Sequence, residues 1–304
     1  MTDPRNPSTR PGSDPAGGSA GVDLADSNTL AYSGRALPAS IQASRVRSLG
    51  WWYQAEWRLI GMRAYWTSIL GSALLTPILY VIAMGIGLGT LVDKASGGVD
   101  GVPYLTFVAP GLLVATVVMS AANETMFPVM DGFKWGKLYF ARATTAASPT
   151  QVALGELLAV AIRMAAEAAV FWLVLVLLGA VNPTTSVLMI PVTALAGVAF
   201  GAPLMAYSAT VEQEGYQFSM VQRFIVMPMF LFAGTFYPLS AMPGYLQWIG
   251  WISPMWHGTQ LARAVSFGLP LAGWEVAVHL AFLGALAALG AWLAVRNFTR
   301  RLQR

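Results

Sequence analysis

Long uncharged runs recur from residue 64 to the end of the chain, and short polar segments separate them. A helix of about 20 apolar residues is long enough to cross the hydrocarbon core of a bilayer. The pattern therefore predicts an all-α integral membrane protein with six transmembrane helices. The predicted spans occupy about residues 64–92, 101–123, 149–181, 186–210, 221–237 and 274–295.

One uncharged run is too long for a single crossing and too interrupted for two. Phe224–Ala262 holds 39 residues without Asp, Glu, Lys or Arg. Its interruptions are Pro228, Pro238, Pro243 and Pro254. The first half, which ends near Tyr237, is long enough to span. The second half, Leu239–Ala262, is then expected to form short re-entrant helices that do not cross the membrane.

The segment before the first span predicts an amphipathic helix. Apolar residues recur at helical spacing over Leu49–Ala64, whereas Gln54, Arg58 and Arg63 lie elsewhere around the helix. A helix of this kind, with indoles and guanidiniums at its boundary, lies in the headgroup region of a bilayer. The apolar positions are Leu49, Trp52, Tyr53, Trp57, Ile60 and Ala64. We therefore expect an N-terminal amphipathic interface helix.

Residues 1–44 differ in composition from the rest of the chain. They are rich in Pro, Gly, Ser, Asp and Ala and contain almost no large apolar residues. Such a segment cannot bury enough apolar surface to fold, and it lacks the apolar core of a signal peptide. The prediction is a disordered cytoplasmic tail over residues 1–44 and a transmembrane domain over residues 45–304.

Basic residues are distributed unevenly between the two sides of the predicted bilayer. One side carries only Lys94 and Arg263. The other side carries Arg45, Arg47, Arg58, Arg63, Lys134, Lys137, Arg142, Arg223, Arg296, Arg300, Arg301 and Arg304. Because short cytoplasmic loops are enriched in Lys and Arg, both termini are predicted to be cytoplasmic. The same clustering explains the net charge of +4 without a nucleic-acid partner.

Composition and motifs exclude several kinds of chemistry. The chain has no cysteine, which rules out disulfides, thiolate metal sites and cysteine nucleophiles. The glycine spacing of Gly132-x-x-x-Gly136-Lys137 is wrong for a phosphate-binding loop, and no Ser or Thr follows the lysine. His257 and His279 stand 22 residues apart and do not form the ligand cluster of a zinc site. We expect no catalytic residues, no metal and no cofactor in this chain.

Five polar side chains lie in or beside the second and third spans. They are Asn123, Glu124, Glu156, Arg163 and Glu167. Ionisable groups inside spans are costly and often functional. Arg163 and Glu167 can neutralise each other at i, i+4 spacing, and Asn123 with Glu124 can offer Arg163 a partner on another helix. Two interpretations stay open: an internal ion pair that fixes helix packing, or a substrate or gating role.

The loop between the second and third spans alternates aromatic and basic residues. Its candidate functional residues are Gly132, Phe133, Lys134, Trp135, Lys137, Tyr139 and Arg142. One interpretation is a surface helix with Phe133, Tyr139 and Phe140 buried and the lysines in water. The other is a lever that docks into a partner protein. Both use the same amphipathic pattern, and the sequence does not separate them.

Several motifs together resemble one family of transporters. They are PMFLFAGTFYPL from Pro228, then Pro243, then WISPMWHG from Trp251, with Arg263-Ala, and the cytoplasmic GFKW from Gly132 with Pro149 and GEL from Gly155. This order resembles the permease subunit of type-2 ABC exporters, closest to the nodulation-factor lipo-oligosaccharide and daunorubicin branch. The resemblance extends from about residue 50 to the C-terminus. Glu212–Phe218 departs from the family pattern, so no role is assigned to that loop.

The resemblance implies a homodimer or pseudo-dimer of six-span subunits in the bacterial plasma membrane. Each subunit would be served by a separate ABC ATPase that holds ATP and Mg, and the helix at Trp51–Ala64 and the loop at Gly132–Arg142 would receive its stroke. The re-entrant helices would shape the outer exit, with candidate residues Tyr237, Pro238, Trp251, Pro254, His257 and Arg263. The expected cargo is amphipathic, either a hydrophobic drug or a glycolipid.

A second hypothesis belongs to another class of transporter. Glu124, Arg163 and Glu167 could carry protons in a secondary transporter driven by the proton gradient. Sequence similarity between the two halves of the chain would favour that class, and none is evident.

Overall fold

A computed structural model describes residues 39–65, 67, 71, 75, 78–213 and 215–304. In these residues every regular element is a helix, apart from one isolated bridge between Val99 and Val102. The helices are α1 Ala39–Met62, α2 Ile78–Ser96, α3 Tyr104–Phe133, α4 Leu138–Ala143, α5 Pro149–Leu177, α6 Pro183–Ser208, α7 Gln217–Phe232, α8 Gly244–Trp251, α9 Pro254–Phe267 and α10 Gly273–Leu302. The predicted all-α membrane protein is confirmed at this level.

Within the described residues, five helices are long and apolar enough to cross a membrane, namely α2, α3, α5, α6 and α10. The fifth predicted span, at about residues 221–237, corresponds to α7, a shorter apolar helix that begins earlier and ends at Phe232. It ends there because Gly234 adopts a left-handed φ of +74°, which helices use to terminate. Part of α7, Gln222–Val226, is a π-helix.

Two predicted segments fall partly outside the described residues. Most of residues 66–77, which begin the first predicted span, lie there, and so do residues 1–38 of the predicted tail. Residues 39–44, assigned to the tail by composition, belong instead to the first turns of α1. Helix α3 also continues ten residues beyond the predicted end at Asn123, because its polar side chains have partners on other helices.

Helix α6 occupies the centre of the bundle and packs against α3, α5, α9 and α10. Small residues permit these close contacts. A Cβ on Gly201 would lie 3.1 Å from Thr125 of α3, and a Cβ on Gly290 of α10 would lie 2.5 Å from Pro203 of α6. The core therefore depends on backbone approach at glycine as much as on large side chains.

Helices α8 and α9, which we call the cap helices, are short. They contain 8 and 14 residues, so at about 1.5 Å per residue both are shorter than the roughly 30 Å hydrocarbon core of a bilayer. Ser253 caps α9 by accepting a hydrogen bond from Met255 N at 3.1 Å. Gly258 packs α9 against Ala196 and Val114. We call the end of the bundle where α3 and α10 begin the cap end, and the opposite end the basic end.

Candidate functional site

Five charged side chains form a connected cluster near the basic end, which we call the ion-pair hub. Its members are Arg58, Glu124, Arg142, Glu156 and Arg163. Arg58 of α1 contacts Glu124 of α3 at 3.3 Å and Glu156 of α5 at 3.0 Å. Arg163 completes the cluster by pairing with Glu124. Three guanidiniums and two carboxylates thus join α1, α3 and α5 to the short helix α4.

The hub extends into the loop between α3 and α5 through Arg142. The Arg142 guanidinium lies 3.7 Å from Glu156 and stacks 3.8 Å above the Trp57 ring of α1. Burial lowers the pKa of Arg142, and Glu156 opposes that shift. A displacement of α4 would therefore be felt directly by α1 and α5.

The same loop is anchored to the end of α10 by aromatic packing. Tyr139 is buried, and its ring lies 4.7 Å from Phe133 and 5.1 Å from Phe298 between centroids. Gly132 leaves the space that the Tyr139 ring occupies. Burial, reinforced by the Glu156 carboxylate, raises the pKa of Tyr139 well above its ordinary value. The phenol is consequently neutral and behaves as part of the core.

Outside these contacts, the loop offers an exposed surface. Trp135 is 49% exposed, and Lys137 and Phe140 are also exposed. The expectation that Phe140 is buried is wrong, because Phe133 and Tyr139 fill the space beneath the loop. Lys134 is partly buried. An anchored base with an exposed indole is compatible with a docking element.

Helix α1 is fixed to α5 by a close crossing. A Cβ on Gly155 would lie 2.6 Å from Trp51 O. The Gln151 side chain donates from Nε2 to Val46 O at 2.9 Å, and its Oε1 accepts from Ser148 N at 3.0 Å. This capping box at Ser148 begins α5 at Pro149, as predicted. The apolar face of α1 is exposed, as expected for a helix that contacts lipid.

Two adjoining cavities are each lined by residues of α2, α3 and α7, and the first is also lined by α5. The first, of about 320 Å³, holds Asn123, Glu124, Arg163 and Glu167. The second, of about 500 Å³, is lined mainly by apolar and aromatic residues. Tyr80 of α2 and Phe230 of α7 line both. We call the pair the lateral groove; it is polar at one end and apolar at the other.

The predicted intramembrane residues lie close together, but the ion pair observed is not the i, i+4 pair of Arg163 and Glu167. Arg163 pairs with Glu124 across helices rather than with Glu167. Glu167 instead accepts a hydrogen bond from Ser120 Oγ at 2.7 Å. Asn123 accepts one from Gln222 of α7 at 2.9 Å. Of the two partners that the sequence offered to Arg163, the one on the neighbouring helix is the one observed.

Arg263 is a structural cation at the cap end. Its guanidinium donates to Phe107 O at 3.2 Å, Gly234 O at 2.9 Å and Thr235 O at 3.2 Å, and it stacks 3.7 Å from the Phe107 ring. Burial lowers the pKa of Arg263 to about 9. The side chain satisfies the carbonyl groups freed where α7 ends.

The two histidines, distant in sequence, form a hydrogen-bonded pair. His257 Nε2 lies 3.0 Å from Trp251 O, and the two Nδ1 atoms are 2.7 Å apart. Because a carbonyl oxygen only accepts, His257 carries its proton on Nε2, and His279 donates from Nδ1 to His257 Nδ1. Phe282 stacks on the His257 ring at 4.0 Å.

The other residues predicted at the outer exit lie at helix ends and turns. Tyr237 donates its hydroxyl to Leu231 O at 3.0 Å and closes the turn after α7. Pro238 precedes the 3-10 turn Leu239–Ala241, and Pro254 is the buried first residue of α9. Trp251 ends α8 and is exposed.

The central place of Arg58 was missed by sequence reasoning. Its position could have indicated this role, because Arg58 lies on the polar face of α1, four residues after Gln54 and away from the aromatic face. Arg301 was also missed: it stacks 4.3 Å from Phe133 and donates to Ala209 O and Val211 O at 2.9 Å. No periodic pattern distinguishes Arg301 from the other basic residues at the C-terminus.

Comparison with known proteins identifies the family. The family described as ABC-2 type transporter matches residues 56–267. The chain is 28% identical over 256 residues to Nodulation protein J of Rhizobium meliloti (strain 1021), covering 83% of this chain and 95% of that protein. It is 29% identical to Nodulation protein J of Sinorhizobium fredii (strain NBRC 101917 / NGR234), covering 83% and 94%.

A third relative agrees with the first two. Nodulation protein J of Bradyrhizobium diazoefficiens is 29% identical over 252 residues, which cover 82% of this chain and 90% of that protein. The matched region includes α3, the ion-pair hub, the loop before α5 and the cap helices. The resemblance seen in the motifs is confirmed, and the chain belongs to the ABC-2 type transporter family.

Proposed function

We propose that this chain is the membrane subunit of an ATP-driven exporter and that its ATPase is a separate partner protein. ATP and Mg would be held by that partner. The observation that carries the proposal is the ion-pair hub, through which Arg142 of the loop is joined by Glu156 and Arg58 to α1, α3 and α5. Because ion pairs connect this exposed loop to three helices, a movement of the ATPase against the loop would be transmitted to them.

In this proposal the basic end faces the cytoplasm. The distribution of Lys and Arg supports that orientation, with both termini cytoplasmic in a bacterial plasma membrane. Helix α7 serves as the fifth of six spans, and the cap helices are re-entrant elements on the outer side. The lengths of α8 and α9 support this assignment, since neither can cross.

The ATPase would dock on the exposed part of the loop, around Trp135, Lys137 and Leu138. Each of these is exposed, whereas Tyr139 and Phe133 beneath them are buried. Pressure on this surface would move the aromatic cluster and Arg142 as a unit. The hub would then carry the displacement to α3 and α5, which form one wall of the lateral groove.

The lateral groove is the proposed route for an amphipathic cargo. Its polar part can meet a headgroup at Ser120, Asn123 and Glu167, and its apolar part can meet a hydrophobic tail along Met84 and Phe236. Helices α2 and α7 expose large apolar side chains beside it, which supports a homodimer with the two grooves facing each other. Hydrophobic drugs and glycolipids both fit this description.

Docking at the loop is tested with Trp135→Ala. The purified full chain and the proposed ABC ATPase partner are mixed, and binding is measured by co-purification. We expect the variant to lose most of the binding, because an exposed indole is a common interface anchor. Trp292→Ala is the matched control, since Trp292 of α10 is 58% exposed and lies outside the loop. Equal binding by both variants would place the ATPase elsewhere.

A further inference from the structure

A cavity of about 490 Å³ lies between the cap helices and the start of α10. It shares no lining residue with the lateral groove. Small-molecule sites in proteins usually measure about 300–1,000 Å³, so this cavity has room for one or two sugar-sized rings. We call it the cap cavity.

Neutral groups with unused hydrogen-bond donors or acceptors line the cap cavity. Among the described residues, Gln260 and Ser240 make no side-chain hydrogen bond. Gln247 donates from Nε2 to Met242 O at 2.9 Å, which leaves its Oε1 as an acceptor. His279 uses Nδ1 as the donor to His257, so its Nε2 is an acceptor. The wall therefore offers both donors and acceptors.

Indole rings supply flat apolar surfaces beside these groups. Trp251, Trp256 and Trp274 all line the cavity. Trp251 and Trp274 are exposed in the described chain. The C–H faces of a pyranose ring pack on an indole, while its hydroxyls hydrogen-bond in the ring plane. A ligand of that shape uses both kinds of lining at once.

Charge on the wall disfavours an anion. Arg263 uses its Nε and Nη2 atoms to donate hydrogen bonds to the carbonyl oxygens of Phe107, Gly234 and Thr235. Asp100 and Glu275 contribute carboxylates, and Glu275 accepts a hydrogen bond from Ala272 N at 2.7 Å. A purely cationic ligand would offer only donors and would leave the Gln260 amide N–H without an acceptor. A neutral ligand rich in hydroxyls matches the donors and the acceptors together.

We propose that the cap cavity is a binding site for a neutral saccharide of one or two rings. It adds a headgroup-contacting site to the exporter proposed above and rests on that proposal only for the outward orientation of the cap end. Trp251 stacks on a sugar ring, and Gln260, Gln247 and His279 bond its hydroxyls.

The test measures binding of cellobiose to the full chain in lipid nanodiscs by calorimetry. We expect saturable binding, and both Trp251→Ala and Gln260→Leu should weaken it about tenfold. Trp248→Ala is the matched control, because Trp248 lies on the same helix, has the same 54% exposure as Trp251 and does not line the cavity. This control should bind cellobiose within about twofold of the unaltered chain.

Charged sugars and partner binding complete the test. Glucuronate and glucosamine should bind more weakly than the neutral sugar. Absence of saturable cellobiose binding, tighter binding of glucosamine, or equal losses in the Trp251 and Trp248 variants would overturn the proposal. Both cavity variants should still bind the ATPase partner, so failure of the saccharide site is distinguishable from failure of the exporter proposal.

Discussion

Single buried charges have the largest consequences at the residue scale. Glu156 is 1% exposed and is shared between Arg58 and Arg142. Removal of one partner from a buried ion pair leaves the others without compensation and costs about 3–5 kcal/mol. Glu212, by contrast, pairs with Arg304 at the surface, with both side chains exposed, where such pairs contribute about 0–1 kcal/mol.

We therefore predict that Glu156→Gln destabilises the protein by about 3 kcal/mol. Thermal unfolding of the full chain in detergent should show a melting temperature several degrees lower than that of the unaltered chain. Glu212→Gln serves as the control and should melt with the unaltered chain. Coincident curves for the two variants would show that the hub is energetically unimportant.

The His257 ring gives a pH dependence with a defined sign. Burial, and secondarily His279, lower the pKa of His257 to about 4, against the effect of its bond to Trp251 O. The unfolded chain titrates near 6.5, so between pH 6.5 and 4 it binds a proton that the folded protein does not. Stability contributed by this site is present above pH 6.5 and lost as the pH falls toward 4.

Melting temperatures of the unaltered chain and His257→Gln, measured from pH 7 to pH 4, test this sign. We expect the gap between the two to shrink or reverse as the pH falls. The charged groups that line the cap cavity with His257 are Arg263, Asp100 and Glu275, and they are present in both the unaltered chain and the variant. Parallel curves across the range would contradict the assignment.

The sequence predicted most of the charged residues that belong to the site, but it predicted only some of the pairs that they form. The sequence offered Glu124 and Glu167 as partners for Arg163, because Glu124 lies at the end of the second predicted span and the other two lie in the third. It did not show that Arg58 bridges two helices, since that contact depends on how α1 crosses α5. The histidine pair was equally hidden, because 22 residues and a turn separate the two rings.

At the scale of elements, the crossing of α1 over α5 includes a close backbone approach at Gly155. A Cβ on Gly155 would lie 2.6 Å from Trp51 O and 3.0 Å from Ala55 N. Both neighbours are backbone atoms, which cannot rotate away. The crossing brings Arg58 to Glu156, so the geometry of the hub depends on this glycine.

Gly155→Val should consequently separate α1 from α5. We expect a loss of about 1–3 kcal/mol from overpacking, detected as a lower melting temperature, together with weaker stimulation of transport by the ATPase. Gly61→Val is a matched control within α1, because nothing lies within 4 Å of a Cβ at that position. If the control loses as much as the crossing variant, helix propensity rather than the crossing is responsible.

Elements were predicted best where hydropathy alone decides them. Helices α3, α5, α6 and α10 lie where the uncharged runs are long. The prediction failed at ends that depend on tertiary contacts. Polar Asn123 and Glu124 did not end α3, because Gln222, Arg58 and Arg163 meet them. Tyr237 did not lie within α7, because Gly234 ends the helix first.

On the scale of the whole molecule, the basic end and the cap end hold different clusters of side chains. The basic end holds the loop, the hub and the aromatic cluster, where the proposed ATPase would dock. The cap end holds Arg263, the histidine pair and the cap cavity. Between them lies the lateral groove, bounded by α2 and α7. Family membership was predictable from motifs in the cap helices and the loop, whereas the cargo is not encoded in any single motif.

Transport by purified components tests the central claim most directly. The chain and its ATPase partner are reconstituted in liposomes without a proton gradient, and the flip of a fluorescent glycolipid is measured with and without ATP and Mg. We predict flipping only when the partner, ATP and Mg are all present, with a strong loss in Glu156→Gln. A second set of liposomes carries the chain alone and an imposed proton gradient, without the partner or ATP. Flipping in these liposomes would contradict the account and support the secondary transporter.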